Sequence, residues 1–291
     1  MRNIPHTSQR IQGVSLVELL VGIVIGLMTL AVAMGALMAS RSTTSTVGDA
    51  SALQQQASHV FRILGQQIRQ AGSLRLKLAT QKADSAVDFD ANDLVAFEAQ
   101  ATDFDPKVDV ILGIDTPNSN QYKLTTGYRN YKEPLHIATA ADGLDSLQRD
   151  CLGQQDSSKP NRIRSQFVLT GTNLMCAGSG NPQPIASNVA NFEVRYLVQT
   201  FPSGFGAPQL QYVNAATVSN NWSNVYAIEI CLVFFGTEVL PASTSYTDCT
   251  APDGTSPTVN TANLASPRTN RMHKVFRSVF QLRSQGLITS Y

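Results

Sequence analysis

Residues 14–39 read VSLVELLVGIVIGLMTLAVAMGALMA, one apolar run interrupted by a single charge, Glu18, and by no proline. As a helix this run is long enough to cross a hydrocarbon core of about 30 Å. Ahead of it lies MRNIPHTSQRIQG, with Arg2 and Arg10 as its cations, and behind it Ser40-Arg41-Ser42-Thr43-Thr44. An ordinary secretory signal has a shorter apolar core with small residues after it; here the core is longer and Gly13 stands before it. Arg2 and Arg10, weighed against Arg41, favour a leader on the cytoplasmic side and residues 40–291 on the far side. A carboxylate within a membrane helix costs about 2.5–3.5 kcal/mol, so Glu18 either reaches the headgroups or has a cationic partner at its own depth. Cutting after Gly13 creates such a cation, the α-amine of Val14, with an ordinary pKa of about 7.7–8.0. A neighbouring subunit's amine paired with Glu18 would set the axial stagger between packed helices.

The helical pattern continues past the apolar run. Leu53, Ala57, Val60, Phe61, Leu64, Ile68 and Ala71 recur at three- and four-residue steps as one stripe, while Gln54, Gln55, Ser58, Arg62, Gln66, Gln67 and Arg69 lie off it. Gly72 follows as a stop. A helix from Ser15 to Ala71 would be roughly 85 Å long. Between its halves, RSTTSTVGDAS (41–51) has poor helix propensity and is expected to fray or hinge. Gly22 and Gly26 have the spacing of a close-packing helix face.

After Ser73 the period changes to that of strands. Phe192, Val194, Tyr196 and Val198 alternate on one face, Val225–Phe235 is apolar enough for a central strand, and Phe276, Phe280 and Leu282 share a face of Lys274–Leu282. Weaker candidates are Leu94–Phe97, Val108–Leu112, Leu135–Ile137 and Gln166–Leu169. Residues 241–270 are mostly small, polar or proline and read as a long surface loop. The fold class is therefore α+β: a long N-terminal helix, its first half membrane-spanning, packed on a β-rich head. The organisation expected is a leader over 1–13, a transmembrane helix over 14–39, its amphipathic continuation over 40–72 and the head over 73–291.

The 291 residues are 43% hydrophobic and 15% charged, with a formal net charge of +1, so no global field points to nucleic acid as the main partner. Cys151, Cys176, Cys231 and Cys249 include no C-x-x-C pair. In an exported chain they are expected as disulfides. Three pairings are open; Cys151–Cys176 with Cys231–Cys249 closes the shortest loops and is the one expected. No catalytic motif is present, His6, His59, His136 and His273 are scattered, and neither a cofactor nor a metal is implied. Asp88-Phe89-Asp90-Ala91-Asn92-Asp93 suggests a calcium loop, yet Asp93 and Ala99 stand where an EF-hand requires glycine and glutamate, so a polar turn is the better reading. Arg268, Arg271, His273, Lys274, Arg277 and Arg283 form a late basic cluster, read as a solvated strand face; nucleic acid is not expected there.

Gly13-Val14-Ser15-Leu16-Val17-Glu18-Leu19-Leu20 resembles the class III leader junction of type IV prepilins and pseudopilins. The resemblance implies that a prepilin peptidase cuts after Gly13 and methylates the amine of Val14, and that Glu18 is the assembly glutamate. Val14 replaces the family's usual phenylalanine, which bears on methylation more than on cleavage. Asp142-Gly143-Leu144-Asp145-Ser146-Leu147, Cys151-Leu152-Gly153, Asn173-Leu174-Met175-Cys176, Trp222-Ser223-Asn224-Val225 and Val275-Phe276-Arg277-Ser278 are similar to the PilW family of minor pilins. That likeness implies a subunit held in the inner membrane with its head in the periplasm, then carried into a pilus at the cell surface. It also implies other major and minor pilins and an inner-membrane assembly platform as partners. The alternatives are a minor pseudopilin of a type II secretion system and an uncleaved, membrane-anchored periplasmic enzyme or binding protein.

Overall fold

A computed structural model of the chain describes residues 13–74, 76–78, 95–97, 102–136, 143–200 and 209–283. The leader ahead of Gly13, the aspartate-rich run 88–93 with Leu94, Ile137 and Asp142 lie outside the described residues. The chain divides into two compact units, Met1–Gly48 and Asp49–Tyr291. The helix α1 (Leu16–Gln70, 55 residues) contributes residues to both.

In the first unit, the large apolar side chains from Val14 to Met38 are all exposed. The run 41–51, expected to fray or hinge, is assigned as helix throughout. Elongation from an existing helix adds one hydrogen bond per residue fixed, so a stretch of poor formers joining two good ones stays helical. The Thr44 hydroxyl donates to the Ser40 carbonyl at 2.8 Å, bonding back into the helix instead of competing with it.

In the second unit the stripe of α1 meets the sheets. Leu53, Ala57, Val60, Leu64, Ile68 and Ala71 are all at most 4% exposed. Gln67, read as off the stripe, is buried as well. Its amide is satisfied there: it donates to the Arg149 carbonyl at 3.3 Å and accepts from the Ser165 hydroxyl at 2.9 Å. Gly65 lets the helix approach the sheet, since a Cβ would lie 2.6 Å from the Phe280 ring. Gly72 ends the helix at φ +76°, and its N–H donates to the Gly127 carbonyl at 3.1 Å.

After α1 come β1 (Leu76–Leu78), β2 (Val95–Phe97), β3 (Ile111–Gly113), β4 (Leu124–Arg129), β5 (Glu133–Pro134) and β6 (Leu144–Asp145). Then follow β7 (Arg162–Thr170), β8 (Asn173–Ala177), β9 (Gln183–Ala186), β10 (Val189–Thr200) and β11 (Gln209–Val213). A short helix α2 (Ala215–Val218) leads to β12 (Val225–Val239), β13 (Ser245–Thr247), β14 (Thr258–Asn260) and β15 (Arg271–Gln281). A five-stranded sheet has the order β3-β4-β7-β8-β9 and a four-stranded sheet the order β11-β10-β12-β15; β1-β2, β5-β6 and β13-β14 form two-stranded ribbons. The pairings are antiparallel.

β12 is apolar on both faces because both are covered. Ile228, Ile230, Leu232 and Phe234 join the main core with the stripe of α1. Cys231 and Val233 form a second cluster with Cys249, packed by Tyr246 and Val275. The segment 241–270 is thus a cover on the sheet's second face, with β13 and β14 inside it, where the sequence suggested only a surface loop. The sheets are also joined by an ion pair: Lys123, just before β4, lies 2.6 Å from Glu193 on β10. Burial nonetheless pushes the Glu193 carboxyl above its ordinary value, more than Lys123 draws it down.

Candidate functional site

Residues 13–15 are not helical, and all three are exposed; Val14 is 73% exposed. Among the described residues nothing lies within 4 Å of where a Gly13 Cβ would be. The Gly13–Val14 peptide bond therefore sits in exposed, non-helical chain, a form open to a peptidase. One residue further on, α1 begins with a reciprocal cap. The Ser15 N–H donates to Glu18 Oε2 at 3.3 Å, and the Glu18 N–H donates to Ser15 Oγ at 3.2 Å. This is a capping box, satisfying two of the four N–H groups that a helix start leaves without partners. The S-x-x-E spacing of Ser15-Leu16-Val17-Glu18 was legible in the sequence, but the apolar run drew attention to the charge alone. Glu18 also stands in the first turn, where the helix dipole favours an anion. The carboxylate is thereby held beside residue 14, whose amine peptide cleavage would release.

Among the described residues, Leu16–Met38 (23 residues) is the one helical segment long and apolar enough to cross a membrane, and none of it is buried. Gly22, Gly26 and Gly35 have open space where a Cβ would be, so α1 offers a smooth face along Gly22 and Gly26.

In the head, Cys151 is joined to Cys176 and Cys231 to Cys249, at sequence separations of 25 and 18. The first bridge ties the turn before β7 to β8, and the second ties the cover segment to the middle of β12. The late basic cluster is largely taken up inside the molecule. Arg268 donates to the Ala190 carbonyl, Arg271 to the carbonyls of Gly236 and Thr237, and Arg277 to the Asp248 carbonyl. These arginines fasten strand ends and the cover segment to one another. Among the described residues no group of three His, Cys, Asp or Glu side chains could hold a metal ion.

His273 lies between the rings of Phe235 and Tyr246, at centroid distances of 5.9 and 4.8 Å. Its Nδ1 lies 2.9 Å from the Arg271 carbonyl, which can only accept, so Nδ1 carries the proton; Nε2 is buried with no partner among the described residues. Burial holds the imidazole below its ordinary value of 6.5, and Arg268 acts in the same direction. The same burial pushes the Tyr246 phenol up to about 12. The unfolded chain binds the His273 proton more readily than the native one, so this residue's contribution to stability falls as pH drops below about 6.5. Glu193 works the opposite way, because its raised native value lets the folded chain take up a proton first as pH falls. The comparison must therefore be between chains that share Glu193. The thermal midpoint, followed by circular dichroism from about pH 7 to about pH 5, is expected to fall less steeply in His273→Phe than in the parent; equal slopes would exclude His273 as the cause.

A type IV-like pilin from Thermus thermophilus aligns with 79% of this chain and 96% of its own, at 13% identity and a TM-score of 0.35. No curated protein matches the chain. Residues 151–284, from the first disulfide to the end of β15, match the family model of the type IV pilus-assembly protein W. The chain thus joins an exposed apolar N-terminal helix to a β-rich head whose second part is similar to the type IV pilus-assembly protein W family.

Proposed function

We propose that the chain is a minor pilin, a structural subunit that primes or joins a type IV pilus. It is stored in the inner membrane through Leu16–Met38 with its head in the periplasm. A prepilin peptidase cuts between Gly13 and Val14 and methylates the new amine. The assembly platform then passes the mature subunit among major and minor pilins, into a fibre at the cell surface. Glu18 of one subunit meets the Val14 amine of a neighbour, fixing the stagger of the helices. Its role is structural and not catalytic.

The observation that carries this reading is the junction itself. An exposed, non-helical Gly13–Val14 bond stands one residue ahead of a helix whose single charge in the apolar run, Glu18, sits in the first turn. The match of residues 151–284 to a pilus-assembly family supports it independently.

The test is the N-terminal mass of the membrane-fraction protein from cells with and without their prepilin peptidase. The expected result is a chain beginning at Val14, heavier by one methyl group, only where the peptidase is present. A Met1 start in both strains would overturn the proposal and leave an anchored periplasmic protein as the reading.

A further inference from the structure

On the five-stranded sheet, Ile163, Ser165 and Phe167 of β7 point into the core, so Arg164 and Gln166 point away from it. The register places Gln166 opposite Thr125 of β4, and Thr125 opposite Leu112 of β3. With Asn120 and Tyr122 from the preceding loop, these side chains line a cleft of about 220 Å³. The Gln166 amide donates to the Thr125 hydroxyl at 3.4 Å across its floor.

Arg164 is the cleft's one charged side chain. It is half-buried, and among the described residues its guanidinium has no hydrogen bond or ion pair. The neighbouring cation differs: Arg162 is held by Asp109 at 3.0 Å. On its other side Arg164 borders a smaller cleft, of about 130 Å³, that contains Asp150 and Asp156. Both of those carboxylates already have donors. Asp150 accepts from the N–H groups of Leu152, Gln154 and Ser179, and Asp156 accepts from Ser158. Burial, and after it the nearby Arg162, work against the charge on Arg164 and outweigh the support it draws from Asp109, which is itself bonded to Arg162. A partly desolvated guanidinium with its N–H groups unbonded among the described residues is suited to a carboxylate, which it can grip with two parallel hydrogen bonds.

The remaining lining narrows the choice of ligand. Amides from Asn120 and Gln166, hydroxyls from Thr125 and Tyr122, and the apolar Leu112 suit a ring with hydroxyl groups on its edge and C–H bonds on its face. The cleft is smaller than the roughly 300–1,000 Å³ of drug-sized pockets, so it has room for one ring and not for a chain of them. We propose that this cleft binds a carboxylate-bearing sugar unit, a hexuronate, with Arg164 clamping the carboxylate. The site goes beyond the assembly role and does not depend on it.

The test is a saturation-transfer NMR titration of the full chain in uncharged detergent, with glucuronate as probe and methyl glucoside and acetate as comparators. Glucuronate is expected to bind saturably, and each comparator about ten-fold more weakly or worse. Arg164→Gln should weaken glucuronate binding by about ten-fold or more, and Arg164→Lys by less. Should Arg164→Gln lose the parent's far-ultraviolet spectrum, Gln166→Ala takes its place with weakened binding again expected. The proposal fails if the parent shows no saturable binding, if acetate binds as well as glucuronate, or if the folded variants bind like the parent. It also fails if a peptide C-terminal carboxylate binds through Arg164 and glucuronate does not.

Discussion

Glu18→Ala is expected to leave the protein in the membrane fraction, cleaved after Gly13, and absent from sheared fibres. Two functions are lost together in that variant. One is the cap: the carboxylate no longer accepts from the Ser15 N–H, which costs about 1 kcal/mol of helix stability at its start. The other, on the proposed assembly role, is the charge offered to a neighbour's amine in the fibre core, where an unmatched ammonium group would cost several kcal/mol. Ser15→Ala separates them. It removes the hydroxyl that caps the Glu18 N–H and leaves the carboxylate in place. Immunoblots of sheared pili should show Ser15→Ala near the parental level and Glu18→Ala and Glu18→Gln near background. Equal defects in Ser15→Ala and Glu18→Ala would assign Glu18 to the cap alone and remove the pairing from the mechanism.

Leu64→Ala is expected to destabilise the head by about 3–5 kcal/mol, a large share of the roughly 5–15 kcal/mol that holds a typical domain together. Leu64 is 0% exposed and sits between Val60 and Ile68 on the stripe of α1, beside the Gly65 that lets the helix approach Phe280. The helix backbone cannot move inward to fill the void, because Phe280 already stands against Gly65. Denaturant unfolding of the full chain in detergent, read at the single tryptophan, Trp222, should show a lower midpoint at unchanged slope. Leu27→Ala is the control. It removes the same atoms from a side chain that is 64% exposed, and it should shift the midpoint by less than about 0.5 kcal/mol equivalent. A loss below about 1 kcal/mol in Leu64→Ala would mean that the helix–sheet seam is not where the head's stability resides.

The parts of the fold legible in the sequence were those in which one periodicity dominates. The stripe from Leu53 to Ala71 and the alternation from Phe192 to Val198 each face one core, and both emerge with the expected faces buried. β12 was legible because it is covered on both sides. β4, Leu-Thr-Thr-Gly-Tyr-Arg, was not: it is buried along its whole length, yet its threonines, glycine and arginine carry no apolar signal. Tertiary partners make it a strand, with β3 on one side and β7 on the other. The same holds for Gln67, whose burial depends on the Arg149 carbonyl and the Ser165 hydroxyl, both distant in sequence. Leu135–Ile137 was expected as a strand, whereas β5 occupies Glu133–Pro134, because pairing with β6 and not local hydrophobicity selects the residues. At the candidate junction, the proposal of Gly13, Val14 and Glu18 rests on residue type and order. The capping box needed only the Ser15 spacing, while the unpaired Arg164 could be recognised only once β3, β4 and β7 lay side by side.

The close approach of Gly65 to Phe280 joins two elements more than two hundred residues apart, α1 and β15. Phe61 and Arg69 meet the same ring, so β15 is the element that closes over the helix. A chain made from its N-terminus exposes the stripe of α1 long before the strand that covers it exists. The five-stranded sheet, assembled from neighbours in sequence, can form early, but the helix and the four-stranded sheet must bridge a long loop of chain and will form late. Until β15 has been made, the apolar stripe of α1 stays uncovered, so the closing of this core waits on a strand more than two hundred residues further along the chain.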